Sequence, residues 1–397
     1  MNTVDLYSVQ FWWFVGTALL VMVPLAVGSL RSWAFAGLNL AFLLIHVRPG
    51  ELKSFAGIVA GVAFAWLVLR ATQRGGWPGA LAARLGLVLV LLLFLVHKLP
   101  HAARPSRTAR FDTMLAGIGF SYVALRMIDV TRAVQEGRHD APKLPSTINY
   151  LLPFHMLAAG PIQSYDEFVA QPAVPAPLGA AGAFGGMERI ASGLFKKFVL
   201  ANYLDRLFLT GFHAAGPYFL LEVQLNFIWL YLDFSAYSDV AVGLGALLGI
   251  DTPENFRRPY LARNVIDFWE RWHISLSQFI RRHLFIPAQM ALMRATDGRF
   301  PLLAASAAFT LSFVLCGLWH GLSWPWLAWG IVQSAGLIVC NLYRVELNRR
   351  LGRKGTKRYL ENRWTQLAAI IITFEFAAAA VAVATYPYQE ISWWTRS

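Results

Sequence analysis

The sequence predicts an all-α polytopic membrane protein, and three observations carry that prediction. Of its 397 residues, 57% are hydrophobic and only 14% charged, where an ordinary soluble domain carries about a quarter charged. Several apolar runs approach the ~20 residues that cross a bilayer as a helix. The net charge of +13 clusters between those runs, which suits anionic headgroups and a cytoplasmic excess of Lys and Arg. Two cysteines, Cys316 and Cys340, lie inside apolar runs. They offer neither a disulfide framework nor metal-ligand spacing, and read as small buried residues.

Taken in order, Phe11–Leu30, Trp33–Val47 and Ser54–Leu69 form an N-terminal helical group. No Lys or Arg precedes the first run, so it lacks the basic start of a signal peptide and reads as a retained helix. The second and third runs are short, which predicts tilted or incomplete spans. Leu85–His97 is apolar but lies between two basic loops, one with Arg70, Arg74 and Arg84, the other Lys98–Arg110. A single crossing would leave one of these loops against the positive-inside rule. Phe111–Val130 is a span with Arg126 and Asp129 on one face near its end. The Gly160-Pro161 pair breaks the helical pattern of Thr147–Ile162, and a Pro/Ala/Gly-rich connector follows at Gln171–Gly186.

Met187–Leu209 is amphipathic, with Arg189, Lys196 and Lys197. Pro217–Ile250 is a long apolar segment carrying Asp233 and Asp239, and acids at membrane depth face a cavity or a partner. Its Gly245-x-x-x-Gly249 spacing predicts close helix packing. Asp251–Arg299 is too charged for a span and too aromatic for a solvated loop, which predicts interfacial or re-entrant helices. Pro301–Trp319 and Trp326–Tyr343 are spans joined by a tight turn. Arg344–Arg363 is a cytoplasmic basic loop, and Trp364–Tyr386 a last span that leaves the C-terminus extracytoplasmic.

Two histidines stand out. His320 follows an apolar helix between Trp319 and Gly321, where partial burial keeps an imidazole neutral and basic. Gly321 is read as leaving room for another chain or a substrate. A histidine closing a helix at the membrane edge is the equally weighted structural reading. His273 lies in D-F-W-E-R-W-H-I-S-L-S. A continuous helix over Asp267–Ile280 predicts Trp269, His273 and Ser277 on one face, an Asp267–Arg271 pair, and Glu270 orienting His273. Taken alone, this stretch fits an amphipathic interface helix better. The pair His97 and His101 has no third ligand nearby, and no G-x-S-x-G elbow or phosphate-cradling glycine loop occurs.

Together these stretches resemble the membrane-bound O-acyltransferase (MBOAT) family. The resemblance rests on A-G-P-I-Q-S-Y-D-E-F at Ala159–Phe168, Y-L-D-F-S-A-Y-S-D-V-A-V-G-L-G at Tyr231–Gly245, and P-E-N-F-R-R-P-Y at Pro253–Tyr260. F-W-E-R-W-H-I-S-L-S at Phe268–Ser277 and G-L-W-H-G at Gly317–Gly321 complete it. It covers Leu151 to Tyr343 and falls nearest the bacterial branch of the alginate O-acetyltransferase subunit and the teichoic-acid D-alanyl transfer protein. The run R-R-H-L-F-I-P-A-Q-M at Arg281–Met290 departs from the alginate pattern and looks more like the D-alanyl branch. The resemblance implies a ring of transmembrane and re-entrant helices around a central tunnel. It also implies His320 and His273 as catalytic residues, with Asp233, Asn255 and Trp272 lining the substrate site; Trp269, Ser277 and Trp319, beside the two histidines in the sequence motifs, are further candidates for that lining.

The expectation is one membrane domain with an N-terminal helical part (1–146), a catalytic core (147–345), and a basic loop with a last span (346–397). Its function would be acyl transfer at a bacterial plasma membrane. The donor would be acyl-coenzyme A or a phosphopantetheinyl acyl-carrier protein, and no bound cofactor or metal is expected. The acceptor would be a hydroxyl of an extracytoplasmic polymer or a relay partner, the acyl group acetyl or D-alanyl. Membrane lipids are expected partners and nucleic acid is not. Two other classes compete: a transporter, suggested by Asp233 and Asp239, and a haem protein with two intramembrane histidine ligands.

Overall fold

The computed structural model describes residues 8–25, 28–46, 52–98, 119–157, 159–175, 178–209 and 218–385. Among them the chain is helical and contains no strand. A lone antiparallel bridge joins Phe256 to Trp272. Six helices are long and apolar enough to cross a membrane, so the protein is an all-α, multi-pass membrane protein. The chain forms two compact units, Met1–Leu194 with Tyr237–Pro253, and Phe195–Ala236 with Glu254–Ser397.

In the first unit, the run Phe11–Leu30 is not one helix. Val9–Met22 ends just before Pro24, and a second helix, Gly28–His46, follows, as a proline that cannot continue a helix dictates. The second and third runs are longer than their apolar text suggests: Gly28–Ile45 and Phe55–Gln73 both reach spanning length. Gly76–Lys98 is also a full span, and it is joined to Leu52–Gln73 by a turn at Arg74 and Gly75. The basic stretch from Arg70 to Arg84 is therefore mostly helix, and the two spans are a hairpin. Lys98 ends the last of these helices, and Arg104, Arg107, Arg110 and His101 lie outside the described residues.

A short helix, Leu144–Leu151, precedes the irregular stretch around Gly160-Pro161. Arg126 is fully buried and donates to the carbonyls of Leu151, Met156 and Pro161 at 3.2–3.3 Å. It ties the A-G-P-I-Q stretch to the Phe120–Gln135 helix, satisfying carbonyls that no helix bond reaches. Asp129 accepts from the Tyr150 hydroxyl and the Tyr165 amide.

The 30-residue helix Phe219–Leu248 carries the two membrane-depth acids, and both are paired. Asp239 meets Arg189 at 2.7 Å in the first unit, and Asp233 meets Lys197 in the second. The basic face of the preceding amphipathic segment thus neutralises them. The predicted packing role of Gly245 and Gly249 does not hold. Gly245 makes room for the returning Thr252, Gly249 adopts φ 64° at the helix end, and close helix approach falls instead to Gly243 against Gly186.

In the second unit, Pro301–His320 and Trp324–Glu361 pack as a tight hairpin across Gly321–Ser323. A Cβ on Gly317 would sit 2.2 Å from the Trp326 carbonyl oxygen, and one on Gly330 2.5 Å from that of Phe313. Arg344–Arg363 is not a loop. The span runs on as helix to Glu361 with a break at Gly352 (φ 65°), and Arg363–Thr385 is the final span. Gly330→Ala should destabilise the protein by about 1–3 kcal/mol, because backbone rather than a side chain must move. A melting curve in detergent showing no loss would contradict the close approach.

Candidate functional site

The residues expected to be catalytic or to line the substrate site all lie in the second unit. The helix predicted over Asp267–Ile280 is broken. Val265–Trp269 ends, His273 adopts a left-handed conformation (φ 44°, ψ 53°), and Ile274–Ile280 begins after it. A non-glycine residue in this region needs outside support, and the P-E-N-F segment supplies it. Ile274 N donates to the Asn255 carbonyl at 2.9 Å, and Arg257 N to the Arg271 carbonyl at 2.9 Å, flanking the Phe256–Trp272 bridge.

Asn255 is 0% exposed and His273 3%. His273 Nδ1 lies 3.0 Å from Asn255 Oδ1, which also accepts from Ser275 Oγ at 2.9 Å. An amide oxygen only accepts, so Nδ1 carries the proton and Nε2 keeps its lone pair. Burial, with His320 adding to it, holds the His273 pKa down to about 3. The ring is neutral at any physiological pH. Glu270, expected to orient it, is exposed instead.

Aromatic rings enclose this imidazole. Phe234 meets it edge-on at 4.8 Å, and Phe256 meets Trp272 at 5.1 Å. Trp272 stacks against both Phe227 and Phe268, at 5.5 and 5.6 Å. Trp269 turns elsewhere, its Nε1 donating to buried Gln333 at 3.1 Å. Ser277 caps the break, its amide donating to the His273 carbonyl and its hydroxyl to that of Trp272. Asp233, one residue before Phe234, is about a quarter exposed beside Lys197. The predicted Asp267–Arg271 pair is present at 2.6 Å.

His320 is the last residue of its helix and half-buried. Its ring stacks on Trp326 at 4.7 Å and 18°, with Trp319 at 4.7 Å and Trp329 at 5.4 Å both steeply inclined. Gly321 does leave room, but Trp326 takes it: a Cβ there would fall 2.6 Å from the indole. The two imidazoles are electrostatically coupled and held by different devices, His273 by a hydrogen bond and His320 against stacked indoles. Sequence reading missed Ser275, Phe234 and Trp326. The first was legible as a hydroxyl two residues past His273; the others become visible only once the turns are folded.

The sequence profile of the membrane-bound O-acyltransferase family matches residues 77–350. The chain belongs to this family. It is an O-acyltransferase. A teichoic acid D-alanyltransferase from Bacillus subtilis is 26% identical over 92% of this chain and 94% of its own length. A peptidoglycan O-acetyltransferase from Helicobacter pylori is 33% identical over 48% of this chain and 36% of its own length. A probable alginate O-acetylase from Azotobacter vinelandii is 30% identical over 59% of this chain and 46% of its own length. The acyltransferase thus matches its D-alanyl relative nearly end to end and spans less than half of these two O-acetyl relatives.

Because the folded pKa of His273 lies below the ordinary 6.5, the unfolded chain binds more protons between the two values. Stability is whole above pH 6.5 and falls as pH drops toward 3; His155, 3% exposed and also held near 3 by burial, acts in the same direction. Melting temperatures in detergent should fall from pH 7 to pH 4, and His273→Gln should shrink that fall. Asn255→Ala strands a buried nitrogen and a hydroxyl and should cost about 1–3 kcal/mol for each. An unchanged melting temperature would remove Asn255 from its assigned role.

Proposed function

We propose that this O-acyltransferase moves an acyl group from a cytoplasmic thioester to a hydroxyl outside a bacterial plasma membrane. Acyl-coenzyme A or an acylated phosphopantetheine carrier protein is the donor. The acceptor is a cell-envelope polymer or a protein that relays the group to it. The observation that carries this reading is the buried, neutral His273 imidazole, electrostatically coupled to His320 among aromatic rings.

In this scheme His320 takes the proton of the acceptor hydroxyl. The oxygen attacks the thioester carbonyl, the C–S bond breaks, and the thiolate leaves and collects a proton. His273 was expected to orient the donor or stabilise the oxyanion. Its Nδ1 proton is committed to Asn255, so Nε2 accepts hydrogen bonds, and we assign it to orienting a donor N–H or O–H. Asn255 and Ser277 hold that ring and its backbone break in place. Trp269, Trp272 and Trp319 exclude water, which strengthens every polar interaction inside. Asp233 meets substrate beside Lys197. The transporter reading loses its ground, since Asp233 and Asp239 both answer basic side chains.

General-base help is worth ~10²–10⁴-fold. His320→Ala should therefore lower kcat by at least that factor with an unshifted melting temperature. A folded variant that keeps full turnover would sink the assignment. His273→Gln should raise the donor KM more than it lowers kcat; an effect on kcat alone would place His273 in the chemical step instead.

A further inference from the structure

The helix that carries Trp326 runs past the end of its apolar stretch. That stretch closes at Tyr343, and residues 344–363 then hold eight Lys and Arg against two acids. Both acids are answered locally. Glu346 meets Arg349 and Arg350 at 2.7 and 2.5 Å, and Glu361 meets Lys357 at 3.8 Å. Arg344, Arg353, Lys354, Arg358 and Arg363 are exposed and meet no carboxylate among the described residues.

These cations are not held out into water. In one straight helix Tyr343 and Tyr359 would stand about 24 Å apart, at 1.5 Å per residue, yet their hydroxyls are hydrogen-bonded at 3.0 Å. The chain doubles back at Gly352, whose φ of 65° and ψ of 172° suit glycine almost alone. Residues 353–361 therefore form an arm folded back along the end of the span, with Thr356 buried under it.

The fold-back fixes a level. Tyr and Trp gather where the headgroups of a bilayer begin. Here Tyr343 ends the apolar stretch, Tyr359 is bonded to it, and Trp364 opens the last span with the Arg363 guanidinium 5.1 Å over its ring. All three rings are exposed, as are Leu351 and Leu360 among the cations. Leucines and indoles mixed with lysine and arginine fit a boundary that is anionic on one side and apolar on the other. A soluble acidic protein would answer the charge but not this apolar depth.

We propose that the folded-back arm is a docking surface for anionic lipid. Phosphodiesters of one leaflet answer Arg353, Lys354, Arg358 and Arg363, while Tyr359, Leu360 and Trp364 sink below them. Neither histidine of the candidate site belongs to this surface, so it stands independently of the acyl-transfer reading.

Delipidated full-length protein in neutral detergent would be titrated with phosphatidylglycerol or phosphatidylcholine, and bound lipid followed by native mass spectrometry. Phosphatidylglycerol should bind more tightly, and its advantage should fade as salt rises. Each cation at an anionic surface contributes about fivefold. Arg353→Gln/Lys354→Gln/Arg358→Gln should therefore weaken phosphatidylglycerol binding by at least about tenfold at an unshifted melting temperature. The charge-conserving Arg353→Lys/Arg358→Lys should keep it. Coenzyme A, which has phosphates but no lipid tails, and an acyl-carrier protein should both leave the lipid in place. Equal binding of the two lipids, full phosphatidylglycerol binding in the triple glutamine variant, or displacement of the lipid by coenzyme A or the carrier protein would each overturn the proposal.

Discussion

The hydrogen bond from His273 to Asn255 is the constraint on which the candidate site depends. A buried imidazole costs several kcal/mol unless its polar atoms are answered, and a histidine at φ 44° adds backbone strain. Both are tolerated because the P-E-N-F segment runs antiparallel beside the break, giving Ile274 a carbonyl partner, Arg271 an amide partner and His273 an amide oxygen. One asparagine thereby fixes the tautomer, the ring orientation and the end of one short helix and start of the next. Phe234 then packs edge-on against the imidazole, backed by Phe256 and Trp272.

A second rule governs charge in the long Phe219–Leu248 helix. Carboxylates at that depth must face water or a cation, and the preceding amphipathic segment provides the cations in register: Arg189 for Asp239, Lys197 for Asp233. What reads in the sequence as two suspicious acids and three scattered bases is two ion pairs. His320 is packed against indole rings. Gly317 and Gly330 let two spans approach until backbone nearly touches backbone, and the indole of Trp326 is driven under the imidazole.

Much of this was legible in the residues. Composition and run length give the all-α membrane fold, and the motifs give the family and both histidines. The failures share a cause: periodicity reports an average and misses where it is interrupted. A continuous helix over Asp267–Ile280 satisfied the i, i+4 rule, but tertiary pairing with Asn255 broke it at His273. Gly245-x-x-x-Gly249 matched a packing pattern, yet the chain turned back at Gly249 and used the space for Thr252. The basic text after Tyr343 looked like a loop because Lys and Arg are as helix-compatible as they are soluble. Hydropathy runs underestimated the early spans, since Gly, Trp and Arg within a helix shorten an apolar run without ending it.

The central claim is that a single cluster built on His320 and His273 transfers an acyl group from a thioester on one face of a bilayer to a hydroxyl on the other. Vesicles holding the protein would be loaded inside with labelled acyl-coenzyme A or an aminoacylated carrier protein, and the label followed to a hydroxylated acceptor outside. The account predicts that label appears on the outer acceptor from one of these donors with the intact protein, not with His320→Ala, and more slowly at limiting donor with His273→Gln, both of unchanged melting temperature. Label crossing at the same rate in those variants would show that the histidine cluster does not perform the transfer.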